Sequence, residues 1–269
     1  MPATDLPVNL PEVHPLHTLV HPAPLLAIPD IHGNLSRLER ALQVWQTDFA
    51  DHRLVFLGDL IHRGDDDRRV MNQVRTLRES GKAELLIGNH EAMQILGRLR
   101  HQPKLLEMAE HFGEKTRRAY PGGELLTMLQ WLNAQLRPVL VHSYGGVQTL
   151  FTHARRPNQG EWTAINRLAE LESRSATSAA GCLRLAQDEL LIQHWLWGTI
   201  KKSVQIIPLP VGITRSVHGH ETHLQPKIRT DEHGHSAHLI DLGPEGLAVF
   251  SEREGVVTLK PGKVNRRKK

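Results

Sequence analysis

The 269-residue chain is 39% hydrophobic but only 4% aromatic, and its 33 Lys+Arg against 29 Asp+Glu give a formal charge of +4. At roughly 100–200 residues per domain this allows one large domain, or one domain with an insertion, around an aliphatic core; so mild a charge excess is not a nucleic-acid footprint in itself. A single cysteine, Cys182, excludes an internal disulfide framework and fits a cytoplasmic protein, and no apolar run approaches the roughly 18–20 residues that span a bilayer.

Residues 1–23 have neither a basic start nor a clean apolar centre, so they do not read as a signal peptide. Their prolines predict an extended arm on the surface. "PLLAI" (24–28), ended by Pro29, predicts a strand. "DIHGN" follows, and then a helix with Asn34 as its N-cap and Leu35, Leu38, Leu42 and Trp45 at helical spacing. "RLVFLG" (53–58) predicts a second strand. After "DLIHRG" a helix is expected near Asp65, with Asp65, Asp66 and Asp67 at its positive end, Val70, Val74 and Leu77 as its apolar stripe, and Gly81 to end it. "AELLIG" (83–88) predicts a third strand, followed by "NHE" and more helix. Strand, polar loop and helix, three times over, is the pattern of an α/β fold with parallel strands.

Residues 92–137 read as an inserted helical cap broken at "YPGG" (120–123). "PVLVHS" and "VQTLFT" read as a hairpin about "YGG". Helices are expected at about 161–173 and 183–196, and strands at "TRSVHG", "SAHLIDLG", "GLAVFSE" and "GVVTLK". The main domain therefore spans 24–260. The basic tail, 261–269, reads as a solvated segment, with nucleic-acid contact the less favoured reading.

The residues just after the apolar runs carry the chemistry. Asp30 and His32 come after the first, Asp59 after the second, Asn89 and His90 after the third, His153 after "TLFT", and His220 after "TRSVHG". In open α/β sheets the C-terminal strand edge is where ligands bind. Singly, each residue has an ordinary role as a helix cap, turn residue or solvated imidazole; jointly they form a metal-competent set. Carboxylates, imidazoles and an amide without thiolates suit Mn²⁺, Fe or Zn²⁺ at a catalytic site. Leaving His90 aside, six candidate ligands exceed one ion's need unless a carboxylate bridges two ions roughly 3.5–4 Å apart, and Asp59 is the obvious bridge.

In the same order, "DIHG", "GDLIHRG", "GNHE", "TH" (152–153) and "GHET" (219–222) resemble the motifs of the calcineurin-like metallophosphoesterases. "HLIDLG" (238–243) is similar to the strand that comes next in that superfamily. "GNHE" looks most like the phosphoprotein phosphatase branch, whose members include bacterial protein Ser/Thr phosphatases; the diadenosine-tetraphosphate hydrolases are the neighbouring branch. The resemblance implies a four-layer αββα sandwich of two mixed sheets flanked by helices. It implies that Asp30, His32 and Asp59 hold one divalent ion and that Asp59, Asn89, His153 and His220 hold the other, with Mn²⁺ the first expectation. It implies His90 as general acid, and Arg63 with Asn89 on the substrate phosphate. The reaction would be in-line attack of a metal-bridging hydroxide on a phosphomonoester, phosphoprotein included. The rival readings are a dinucleoside polyphosphate or other nucleotide substrate, received by Arg98, Arg100, Lys104, Lys115, Arg117 and Arg118 of the cap, and a non-catalytic phosphate- or nucleic-acid-binding relative.

Three positions depart from the pattern. His62 stands where protein phosphatases of this kind usually carry an Asp that orients the acid histidine; Asp65, Asp66 or Asp67 could substitute, though a helix start is their plainer role. Arg155 in "THARR" replaces a usual glycine and reads as a second phosphate contact or a solvent-facing side chain. "HGHETH" offers His218, His220 and His223; "GH" aligns His220, and His218 would serve if two histidines at spacing two held both metals.

Overall fold

The computed structural model describes residues 12–99, 101–173, 195–198, 207, 209–231, 233–243 and 246–259. Two mixed six-stranded sheets form the centre. One contains β2 (Leu25–Ile28), β3 (Arg53–Phe56), β4 (Ala83–Leu86) and the short β5 (Leu136–Arg137), all parallel, extended past β2 by antiparallel β11 (Leu247–Ser251) and β12 (Gly255–Leu259). The other has the order β1 (Thr18–Leu19), β6 (Val139–Tyr144), β7 (Val147–Thr152), β8 (Ile213–His218), β10 (Ser236–Leu239) and β9 (Lys227–Thr230).

The period-2 alternation of the strands assigns the layers. Leu25, Ala27, Val55, Leu57 and Leu86, with Ala248 and Phe250 of β11, face the other sheet, where Leu140, Phe151 and Val217 complete a fully buried seam. Their neighbours Leu26, Ile28, Leu54, Phe56 and Leu85 face outward onto the helices α1 (Leu35–Asp48) and α2 (Asp67–Glu79). On the far side, Val139, Val141 and Leu150 belong to the cluster that holds Trp162 and Ile165 of α7 (Gln159–Ser173) and Trp195. Helix, sheet, sheet and helix are thus stacked in the expected order.

Local signals hold where they are chemical. Asn34 caps α1 by accepting the Arg37 N–H at 3.0 Å. Gly81, at φ +72°, ends α2 in a Schellman turn: its N–H reaches Arg78 and the Lys82 N–H reaches Leu77. Gly145 and Gly146 turn the β6–β7 hairpin with positive φ. Between β4 and β5 run α3 (Asn89–Gln94), a π-helical turn (Ile95–Leu99), α4 (Pro103–Phe112), α5 (Glu114–Ala119) and α6 (Glu124–Gln135), with the break at "YPGG" as expected.

Three expectations change in detail. Helix α2 begins at Asp67 rather than Asp65; Asp67 is buried and accepts the His62 N–H and the Thr116 hydroxyl, clamping the preceding loop instead of merely favouring a helix end. Part of the N-terminal stretch is ordered as a 3₁₀ turn (Pro15–His17) and as β1, which pairs with β6. β1, β5 and β9 were not expected: two are only two residues long, and "KIRT" of β9 is a largely exposed edge strand without an apolar alternation. Residues 183–194 of the second expected helix, Cys182, Arg100 and the tail 261–269 lie outside the described residues.

Candidate metal centre

The loops after β2 and β3 are knitted together by their backbones. Ile31 and His32 both donate to the Asp59 carbonyl, Gly33 donates to Leu60, Gly64 to His32, and Asp66 to Gly33. Gly58 and Gly88 allow the β3 and β4 loops to meet: a Cβ on Gly58 would lie 2.5 Å from the Gly88 nitrogen, and one on Gly88 2.2 Å from the Asp59 nitrogen. Backbone strain concentrates at this edge. His32, Asp59, His62, Arg63 and His220 all have positive φ, and among the described residues only one other non-glycine, His101, does. A left-handed backbone is uncommon for side chains of this size, and at roughly 1–3 kcal/mol each such strain is typically found where function holds a residue in place.

Glu91 supplies the anchor. Its buried carboxylate accepts the N–H groups of Asp59 (2.8 Å), Leu60 (2.8 Å), Ile61 (3.2 Å) and Gly88 (3.1 Å). It fixes the loop that carries Asp59 from the first turn of the helix that carries Asn89. The sequence shows it only as the last letter of "GNHE"; its position three residues after Gly88, where a capping-box acid sits, is the signal that could have found it.

Around Asp59 the expected ligands converge. His32 Nε2 lies 3.7 Å from Asp30 Oδ2 and 3.6 Å from Asp59 Oδ2. His153 Nε2 lies 3.5 Å from Asp59 Oδ1 and 3.0 Å from Asn89 Oδ1, and His220 Nδ1 is 3.1 Å from the same amide oxygen. One potential ligand atom from each of Asp59, His153 and His220 falls within a 4.8 Å span, as does one from each of His32, Asp59 and His90. Asp59 belongs to both groups. Second contacts orient the rings: His153 Nδ1 donates to the Leu57 carbonyl at 2.9 Å and His32 Nδ1 to the Ile61 carbonyl at 3.3 Å, so each leaves a lone pair on Nε2.

The electrostatics ask for a cation. Burial, then the neighbouring Asp241, pushes the Asp30 carboxyl well above the ordinary carboxylate range; burial, then Asp30 and Glu91, does the same to Asp59. Burial holds the imidazoles of His153 and His220 below their ordinary value and brings His32 down to about 3. Among the described residues neither aspartate forms an ion pair with Lys or Arg. Buried carboxylates without a countercharge, beside neutral imidazoles with free lone pairs, are the donor set of a divalent metal site, and they fit the implied ions.

The remaining site residues divide. Arg63 reaches the cluster: its Nη2 is 3.3 Å from His90 Nε2, and with His32 it borders a cavity of about 280 Å³. His90 Nε2 is 3.9 Å from Asp59 Oδ2. Arg155 is engaged elsewhere, in a two-pronged salt bridge to Glu161, so its guanidinium is not offered to a substrate phosphate in this arrangement. His218 also turns away, with Nδ1 2.5 Å from the Ala154 carbonyl and Nε2 2.8 Å from Ser216 Oγ. Of the basic residues of the helical region, Arg98 binds Gln94 and Glu110, Lys115 binds Asp65 and the Arg63 carbonyl, and Arg118 binds Glu114.

A protein from Acidovorax sp. named symmetrical bis(5'-nucleosyl)-tetraphosphatase is 33% identical over 150 residues, 54% of this chain and 48% of its own length. One of the same name from Methylococcus capsulatus is 29% identical over 162 residues, 58% of this chain and 51% of its own. The chain thus spans about half the length of the curated relatives it matches. Among solved structures, the cold-active protein-tyrosine phosphatase of a psychrophilic Shewanella sp. superposes with a TM-score of 0.53 at 18% identity, covering 96% of this chain and 87% of its own. A protein serine/threonine phosphatase from Saccharomyces cerevisiae gives 0.54 at 14% identity, covering 85% and 72%. At those identities the likeness is one of fold. The family model for calcineurin-like phosphoesterases matches residues 23–235, from the strand before Asp30 to beyond His220, and the chain belongs to that family.

Proposed function

We propose that the chain is a metal-dependent phosphoesterase that hydrolyses small phosphorylated molecules, dinucleoside polyphosphates foremost. The observation that carries this reading is the convergence on Asp59 of ligand groups from loops separated by up to 190 residues along the chain. Asp30, His32 and Asp59 would hold one divalent ion, and Asp59, Asn89, His153 and His220 the other, with Mn²⁺ the first to try. Such a pair supplies an activated water near neutral pH and neutralises phosphoryl charge.

The chain's own residues do the rest. Asp59 sets the separation of the two halves of the site and is itself held by Glu91. Arg63 offers a planar guanidinium fork matched to phosphate oxygens. His90 turns Nε2 toward the same space, where a hydrogen donor for the departing oxygen is required. The cavity beside His32 and Arg63 leaves room for part of a substrate beyond the phosphate. The nucleotide reading moves ahead of the phosphoprotein reading because the curated relatives are named for a bis-nucleosyl tetraphosphate.

The experiment is a substrate panel on Mn²⁺-reconstituted protein: diadenosine tetraphosphate, p-nitrophenyl phosphate and a phosphopeptide. Hydrolysis of diadenosine tetraphosphate that the Asp59→Ala variant lacks supports the reading. A preparation holding its metals yet inert on all three overturns it in favour of a binding protein.

A further inference from the structure

His62, which stands where a carboxylate would be expected, is not idle. Its Nδ1 lies 2.7 Å from His90 Nδ1, and its Nε2 lies 2.8 Å from Gln94 Nε2. Both histidines and Gln94 are buried. Resting on the reading of His90 given above, we propose that Gln94 and His62 are positioning residues that lock His90 in the neutral tautomer protonated on Nε2. His90 then gives the leaving oxygen a hydrogen bond, and it acts neither as a metal ligand nor as an imidazolium acid.

The assignment follows from donors and acceptors alone. Arg98 has only donors, and its Nε lies 2.7 Å from Gln94 Oε1, which identifies that atom as the amide oxygen. The Ala109 carbonyl only accepts, and it lies 3.0 Å from Gln94 Nε2. With its amide fixed at both ends, Gln94 directs its second N–H at His62 Nε2, which must be a lone pair. The His62 proton is therefore on Nδ1 and is donated to His90 Nδ1. That leaves the His90 proton on Nε2, facing Asp59 and the phosphate space. An extra proton on either ring would set N–H against N–H. The π-helical turn after α3 places Arg98 beside Gln94, in keeping with the frequent occurrence of such turns at functional sites.

Arg63 pulls the other way. Its Nη2, a donor, approaches His90 Nε2 at 3.3 Å. That contact is the longest of the set and lies at the exposed end of the chain of hydrogen bonds, whereas the Gln94 end is fully buried. A guanidinium turned onto phosphate removes the opposition.

The tautomer separates two roles that distance alone leaves open, since the His90 ring nitrogen lies close enough to His32 and Asp59 to share an ion with them. A ligand needs the Nε2 lone pair, and the lock occupies it with a proton. In the step itself a water oxygen, losing a proton to solvent, bonds to phosphorus as the ester P–O bond breaks, and the electron pair of that broken bond leaves with the departing oxygen. The Nε2–H stabilises that charge without transferring, and the alkoxide takes its proton from solvent. Neutral imidazole is known to act as such an electrophile.

The test has two readouts. Imidazole ¹⁵N NMR of the metal-free protein near neutral pH reports the His90 state directly, without metal or substrate. The expected result is a neutral ring with Nε2–H in the parent and loss of that preference in Gln94→Leu. The second readout is the ratio of turnover on an alkyl phosphate to that on p-nitrophenyl phosphate, whose leaving group needs little help. Removing one preorganised donor costs on the order of 10²–10³ in turnover, so a weakened one in His62→Phe or Gln94→Leu should lower the ratio at least about tenfold. His62→Asn, which keeps an N–H near the Nδ1 position and tolerates the left-handed backbone, should restore much of it. A parent His90 protonated on Nδ1 only, or on both nitrogens, overturns the proposal. So does a ratio unchanged in both His62→Phe and Gln94→Leu, or His62→Phe and His62→Asn equally impaired, which would reveal packing alone. Failure to hydrolyse any phosphoester would defeat the enzymatic reading while leaving the NMR result standing.

Discussion

Asp59 is held in a left-handed backbone by a carboxylate 32 positions away, and that dependence makes Glu91 the most informative single residue beyond the proposed ligands. A glutamine in its place keeps the volume but replaces one acceptor oxygen with a donor, so two of the four N–H groups lose their partner. Substitutions behind a ligand typically cost 10–100-fold in metal affinity or activity. Glu91→Gln should therefore weaken Mn²⁺ binding by about that factor while the protein stays folded; titration calorimetry compared with circular dichroism checks it, and unchanged affinity would mean that the loop is held by other means. At this scale the candidate ligands were legible as a cluster because each comes directly after an apolar run at a strand edge, where its placement is a local matter. His62, Gln94 and Glu91 were not, because their roles exist only where three loops meet. The partner of Arg155 was hidden for the same reason: Glu161 lies on a helix whose orientation the sequence does not state.

The strands and helices are held by two kinds of contact between the sheets. Phe151 and Phe250 meet edge-on in the fully buried seam, with ring centres 6.3 Å apart. Truncating such a ring costs roughly 3–5 kcal/mol, so Phe151→Ala should lose about that much in urea unfolding; a loss below about 1 kcal/mol would contradict the seam as drawn. The second contact is a polar clasp. His142 of β6 lies 2.6 Å from Glu252, which sits just past β11 and also accepts the Leu25 N–H of β2 at 2.8 Å. Burial opposes charge on His142, but Glu252 and the His21 carbonyl outweigh it and raise the imidazole above its ordinary 6.5. A value raised on folding contributes stability that is fully present below the unfolded value and lost as pH rises through the folded one. The thermal midpoint of the parent should therefore exceed that of His142→Gln most at about pH 6, and the gap should narrow toward pH 9. A gap that widens with pH would contradict the clasp. Element types were legible wherever periodicity and caps agreed, as at Asn34 and Gly81. They were not for β1, β5 and β9, which are too short or too polar to carry a pattern and exist because a sheet edge was available to pair with.

Across the whole molecule, the layer order followed from three strand–loop–helix repeats and from strands whose two faces are both apolar, as sandwiching between a helix layer and a second sheet requires. No helix among the described residues is long and apolar enough to cross a membrane. The stacking of the two sheets aligns the ends of β2, β3, β4, β7 and β8, and so makes one site from residues scattered between positions 30 and 220. Anomalous diffraction from crystals soaked in Mn²⁺ tests that claim most directly. The account predicts two peaks roughly 3.5–4 Å apart, flanking the Asp59 carboxylate, one beside Asp30 and His32 and the other beside Asn89, His153 and His220. A single peak that Asp59 does not touch, or no peak among these side chains, would contradict it.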